Sequence, residues 1–242
     1  SMPDRRFRRA RHQTVMTALR AFDAEFLANA GCCFAGGTRI VLELAEYRES
    51  EDIDFLCASR AGYRLLRGTV TDRSLGALLR TPLPLAREVR ADRYGIRTFL
   101  DMGESKLKTE IVFEARIDIA AEEVAGLPVP CLDRVSCFAE KYLANADRGN
   151  DEATRHRDVV DLAFMIEAWG AEAASRGAAI AREAYGRVVD DAAVAVAQRL
   201  LAEAQAFKHS VAALRVTDTR TLTSGLKQIA RPAGGGTPRK RR

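Results

Sequence analysis

Asp52 and Asp54 stand two apart in Asp52-Ile53-Asp54-Phe55-Leu56-Cys57, a stretch that reads as a strand. Side chains alternate across a strand, so both carboxylates project from one face while Ile53 and Phe55 point to the other. Two like charges on one face repel unless a cation lies between them. Hard oxygen donors suit Mg²⁺, or Mn²⁺, bound through one or two carboxylates together with substrate phosphates. Upstream, Cys32-Cys33-Phe34 leads into Gly36-Gly37-Thr38 and then a helical apolar run from Ile40 to Ala45. A strand feeding two glycines into a helix lets a ligand approach the main chain closely. The helix start offers unpaired N–H groups and a partial positive charge, a seat for phosphate, and Thr38 adds a hydroxyl. Alone, a Gly-Gly pair is usually a turn and an Asp-x-Asp pair a solvated strand face. In succession they describe a site for a metal–nucleotide complex. A third carboxylate on a neighbouring strand completes a two-metal clamp. Residues 106–114 offer Glu110 or Glu114, and Glu110 is preferred because Thr109 and Ile111 point the other way.

These groups need elements to hold them. Val15, Leu19, Phe22 and Phe26 recur at helical spacing, which predicts one helix over 14–30 ended by Gly31. Strands are expected over 32–34 and 52–57, one or two short helices over 60–80, and further strands near 84–90, 95–101 and 106–114. Beyond Asp133 the chain turns Ala-rich and helical, over 134–146, 155–169, 171–185 and 190–213, with Asp133 and Thr154 as N-caps. The expected fold class is α/β (α+β). A lobe with a small mixed sheet spans 1–130 and carries the metal and nucleotide site. An all-helical lobe spans 131–228, and a basic, linker-like tail over 229–242 is expected to be disordered.

Composition narrows the classes further. The 242 residues are 47% hydrophobic and 29% charged, which excludes a collagen-like or largely disordered chain. The net charge of +5 belongs to the ends. Arg5, Arg6, Arg8, Arg9 and Arg11 open the chain and Arg239-Lys240-Arg241-Arg242 close it, so the body carries more acid than base. Such ends attract phosphate non-specifically. The five cysteines include no C-x-x-C pair and the three histidines lie far apart, so no zinc site is expected. No apolar run approaches the roughly 20 residues needed to span a bilayer, and no signal peptide is evident. The expected compartment is cytoplasmic, without membrane partners.

Gly36-Gly37-Thr38 followed by Arg48-Glu49-Ser50-Glu51-Asp52-Ile53-Asp54-Phe55 resembles the nucleotidyltransferases of the AbiEii/AbiGii toxin family, within the polymerase-β-like superfamily. Two later segments resemble it as well. Asp133-Arg-Val-Ser-Cys-Phe-Ala-Glu-Lys141 is similar to the family's helix bearing an Asp and a Lys, and Arg157-Asp158-Val-Val-Asp161-Leu162 to its Arg-Asp-hydrophobic-hydrophobic-Asp-Leu motif. The four segments run in the family's order across about half the chain. The resemblance implies a two-lobed enzyme that moves a nucleoside monophosphate from an NTP, with Mg²⁺, to an acceptor such as tRNA or other RNA. It also implies the toxin role in a toxin–antitoxin or phage-exclusion pair, with a cognate antitoxin as partner. Lys141 then stabilises charge on the phosphates as a point charge. Asp158 and Asp161, three apart on one helical face, hold its ammonium or accept a proton. Arg48 and Ser50 order the loop before the acid pair or touch phosphate.

Two rivals use other residues. A metal-dependent nuclease would employ Glu104-Ser105-Lys106 on a strand with Asp92 or Asp101, leaving the glycine turn and the acid pair unexplained. A non-catalytic NTP-binding module would keep the seat without turnover. Lys106→Ala separates the first from nucleotide transfer, because only cleavage depends on that lysine.

Overall fold

The computed structural model describes residues 7–231. The basic tail beyond Arg231, and Arg5 and Arg6, lie outside those residues. Within them the chain forms ten α-helices and one seven-stranded mixed sheet, with helices alone following residue 133. They fall into two compact units, one ending at Cys137 and the other beginning at Phe138.

In the first unit, α1 (Ala10–Leu19) and α2 (Ala24–Asn29) occupy the stretch expected as a single helix. The break has a local cause. The Asp23 side chain accepts the Phe26 amide at 2.9 Å, and an N-cap starts a new helix in place of continuing the old one. The Asp23 amide is meanwhile drawn to the Leu78 carbonyl at 3.0 Å. Strand β1 (Cys32–Ala35) is buried throughout and runs directly into α3 (Gly36–Glu43). Next come β2 (Ile53–Cys57), α4 (Arg60–Thr69), β3 (Leu85–Ala91), β4 (Gly95–Asp101), β5 (Lys106–Phe113) and the short β6 (Ala121–Glu122) and β7 (Cys131–Leu132).

The sheet order is β3-β4-β5-β2-β1-β7-β6. β2 lies antiparallel to β1 and parallel to β5, so it is central. Its alternation is the period-2 pattern of a strand with one core face. Ile53, Phe55 and Cys57 are buried, while Asp54 and Leu56 on the other face are only partly so. Ile53 and Phe55 join Leu19, Leu27, Phe34, Ile96, Leu100 and Ile111 in one apolar cluster with α1 and α2. Phe55 packs its ring against Phe22 and Phe34. Burying side chains of this size contributes about 1.5–3 kcal/mol each, which fixes the register and with it the face on which Asp54 emerges. Arg39 of α3, fully buried, ties that helix to the far sheet edge. It donates to the Leu132 carbonyl at 2.9 Å and to Glu122 at 2.7 Å, and it pairs with Glu43.

α5 (Arg134–Arg148) carries the chain onward, its N-terminus capped by Asp133, which accepts the Ser136 amide at 2.8 Å. The second unit continues with α6 (Arg157–Trp169), α7 (Ala171–Tyr185), α8 (Val188–Ala202), α9 (Ala204–Leu214) and α10 (Thr219–Ile229). Thr154 does not cap α6. It closes a 3-10 turn capped by Asp151, and two left-handed residues, Arg155 and His156, lead into the helix. The helix expected over 190–213 is interrupted at Glu203, whose backbone is extended; no glycine or proline marks that break. α10 packs so closely on α6 that a Cβ at Gly225 would strike the Ala163 carbonyl. Gly225→Ala is therefore expected to cost about 1–3 kcal/mol by overpacking, seen as a lower midpoint in urea unfolding with an unchanged slope.

Candidate active site

The acid pair and the glycine turn meet because β1 and β2 are neighbours. Ala35, the last residue of β1, is the register partner of Asp54. Gly36 follows with φ of +72°, a left-handed conformation that glycine adopts without cost. A Cβ there would lie 2.5 Å from Asp54 Oδ2. The missing side chain is therefore what lets the Asp54 carboxylate pack against the start of α3, where the helix's first amides point outward. Across β2, Asp54 is the register partner of Glu110 in parallel strands, so the two carboxylates share a face. Glu114, the alternative, is buried and clasped by the Arg116 amide at 2.6 Å and the Arg116 guanidinium.

Cations compensate this acidic face. Glu110 accepts from Arg97 Nε at 2.6 Å and from Lys108 Nζ at 2.8 Å. Burial pushes the Glu110 carboxyl up, but Lys108 and Arg97 outweigh it and hold it below the usual glutamate range. Burial likewise opposes charge on Lys108, yet Glu110, then Asp54 and Asp52, raise its proton affinity. Among the described residues no three His, Cys, Asp or Glu side chains gather into a metal cage. The three-carboxylate clamp expected of Asp52, Asp54 and Glu110 is thus not gathered, and Glu110 is instead paired with Arg97 and Lys108. Asp52 and Asp54, hard carboxylates beside a turn without side chains, remain a donor set whose chemistry fits Mg²⁺.

The loop between α3 and β2 carries the other first-unit candidates. Thr38 is buried, its Oγ1 2.8 Å from Ser50 Oγ, so the hydroxyl serves to bind the turn to the loop. Arg48 is buried too and donates to the Glu49 carbonyl at 2.8 Å.

The second unit gathers the remaining three. Lys141 on α5 reaches Asp158 at 2.9 Å and Asp161 at 2.7 Å on α6, and all three are buried. Arg148, two turns along α5, grips Asp158 Oδ2 at 2.7 Å and Oδ1 at 3.1 Å. Burial disfavours charge on Asp158, but Lys141 and Arg148 overcome it and hold the carboxyl well below the usual aspartate range.

The profile of the AbiEii nucleotidyl transferase toxins, a type IV toxin–antitoxin system, matches residues 17–224. The chain belongs to that family. The AbiEii match runs from α1 into α10 and so takes in all four motif segments. Two Helicobacter pylori structures share the fold. A candidate nucleotidyltransferase has a TM-score of 0.52 at 17% identity, over 90% of this chain and 93% of its own. JHP933 has a TM-score of 0.51 at 17% identity, over 90% of each chain. No curated protein matches significantly. This AbiEii chain is thus a nucleotidyltransferase enzyme of a toxin family, and no helix among its described residues is long and apolar enough to cross a membrane.

Of the rival nuclease set, Asp101 and Lys106 are register partners across β4 and β5, and the other members stand apart from a strand or are already engaged. Glu104 lies in the exposed turn before β5, not on a strand. Asp92 is occupied at the opposite end of β4, where its Oδ1 accepts the Tyr94 and Gly95 amides at 2.7 and 2.9 Å. Sequence reasoning missed Lys108, Arg97 and Arg148. For the first, a signal was present, since a lysine two residues from Glu110 on a strand shares its face.

Proposed function

We propose that the enzyme transfers a nucleoside monophosphate from an NTP to an acceptor hydroxyl, with Mg²⁺ or Mn²⁺ held by Asp52 and Asp54 and the charge of Glu110 beside them. One observation carries the reading: the Asp54 carboxylate packs against Gly36 at the start of α3, so that cation ligands and phosphate seat adjoin. The ion, when bound, supplies positive charge to the phosphate oxygens. The chain's own residues do the rest. The Gly36 and Gly37 amides hold phosphate oxygens, Thr38 and Ser50 lock the turn, and buried Arg48 orders the loop ahead of Asp52. In the second unit Lys141, held by Asp158 and Asp161, braces α5 against α6. Catalysis of this kind is chiefly positioning and electrostatics around an in-line displacement. Glu110, held ionised by two cations, is a poor proton acceptor and acts through its charge. An RNA or tRNA end is the acceptor proposed, an antitoxin protein the partner, and the cytoplasm the compartment.

Incubating the protein with each α-³²P-labelled NTP and total bacterial RNA, with Mg²⁺ or with EDTA, tests this directly. Label entering a discrete RNA band only with Mg²⁺ is the expected result. Label transfer that persists in EDTA would refute the metal assignment, and pyrophosphate release without labelled RNA would refute the RNA acceptor.

A further inference from the structure

A buried polar relay joins the start of α1 to the glycine turn, and its central member is a histidine that the proposed mechanism does not use. His12 is fully buried on α1. Its Nδ1 lies 2.9 Å from Glu46 Oε1, and its Nε2 accepts the Ser50 amide at 3.2 Å. Ser50 Oγ in turn meets Thr38 Oγ1 in the first turn of α3 at 2.8 Å. Glu46 also accepts the Arg8 and Arg9 amides at 2.8 and 3.0 Å. It is presented by two consecutive left-handed residues, Ala45 and Glu46, with φ of 56° and 58°. Such a conformation is costly for residues with side chains, so the loop holds strain in order to aim this carboxylate.

The partners dictate the ring's state. An ionised carboxylate only accepts and a backbone N–H only donates, so Nδ1 must carry the proton and Nε2 must be bare. Protonating the ring would set an Nε2–H against the Ser50 N–H, donor facing donor.

Resting on the nucleotide reading above, we propose that His12 is a positioning residue: in its neutral Nδ1–H form it holds Ser50, and through Ser50 and Thr38 the phosphate-seating turn, so that protonation of the ring loosens triphosphate binding. The charged groups facing the ring are Glu46 and Glu49 from the loop and Arg9 from its own helix, and the edge-on Phe7 ring covers it. Burial lowers the proton affinity of His12 more than Glu46 raises it. Burial opposes charge on Glu46, but the Arg8 and Arg9 amides and His12 keep it ionised into acid. Between about pH 8 and 5.5 Glu46 stays ionised, and His12 takes up its proton in more acid than a free imidazole does.

The test is equilibrium binding of the four NTPs with Mg²⁺ over that range, for the full chain and for His12→Gln and His12→Phe, beside ¹⁵N spectra of the ring and melting temperatures. Expected are an Nδ1–H tautomer at pH 8 and binding by the unmutated chain that weakens about tenfold as the ring titrates. His12→Gln, whose amide oxygen can accept the Ser50 N–H, should bind within a few-fold at pH 8. Its pH curve should reflect only protonation of the triphosphate itself. His12→Phe should bind about tenfold more weakly at pH 8. A lower melting temperature for His12→Phe with unchanged NTP affinity would overturn the proposal by making the ring merely structural. So would an Nε2–H tautomer, or identical pH curves for the unmutated chain and His12→Gln. In each of those cases NTP binding remains and the nucleotide reading stands. No NTP binding by the unmutated chain at any pH would instead overturn the nucleotide reading, and this one with it.

Discussion

Asp54→Asn is expected to lower nucleotidyl transfer by a factor on the order of 10²–10³ or more, with a melting temperature close to that of the unmutated chain. The two side chains have the same shape, so the contact with Gly36 survives. The core face of β2, which stabilises the strand, is formed by Ile53, Phe55 and Cys57 and is untouched. What disappears is a negative charge at the point where strand and helix start adjoin. A neutral amide is a far weaker partner for a hard cation, and Lys108, now less balanced by acid, would compete for the phosphate. The measurement is single-turnover transfer of labelled NTP beside thermal unfolding. Full activity in the variant would remove Asp54 from the proposed site, while a large fall in melting temperature would make its role structural.

Lys141→Met should act mainly on stability. The ammonium is all but enclosed and neutralises Asp158 and Asp161, which are 3% and 0% exposed at their side chains. Removing one partner of a buried ion cluster leaves charge uncompensated and costs about 3–5 kcal/mol. At roughly 2–4 °C per kcal/mol for a chain of this size, the melting temperature falls by about 10 °C. Adding Asp161→Leu to Lys141→Met should recover part of the loss, because an apolar replacement carries no buried charge. A single variant that melts like the unmutated chain would show that the cluster contributes little. Acid acts on the same cluster. Lys141 and Arg148 outweigh burial and hold the Asp158 carboxyl below its unfolded value. Its contribution is therefore present in full above about pH 4 and lost as pH falls through the native value. Arg148 remains paired with Asp158 in the Lys141 variant, so the acid loss should diminish there without vanishing.

Strands and motifs were legible where local chemistry and tertiary structure agree. The alternation of Ile53, Asp54, Phe55 and Leu56 reads as a half-buried strand and is one, and the preference for Glu110 over Glu114 follows the register that β2 and β5 adopt. The segments near 84–90, 95–101 and 106–114 read correctly because turns separate them. Less legible was anything decided at long range. Asp23 breaks the first helix by capping a new one, a role also open to a surface aspartate. Glu203 ends α8 with no local signal at all. His12 looked isolated because its partners lie 34 and 38 positions away, and nothing in the sequence shows that Ser50 meets the Thr38 hydroxyl. Hydrophobic period reports which face is buried; it does not report which polar groups meet across the chain.

The cysteines, bland as a motif, make the first unit self-reporting. All five are free and buried. Burial pushes the thiol of Cys33 up to about 11 and those of Cys131 and Cys137 up to about 12. At neutral pH the reactive thiolate is scarce in the closed state. Cys32 and Cys57 stand opposite each other across β1 and β2, and Cys131 is the β7 register partner of Phe34. Labelling of Cys32 and Cys57 by a thiol reagent must therefore wait for the centre of the sheet to open, and its rate becomes a clock for the breathing of the strands that carry Asp54.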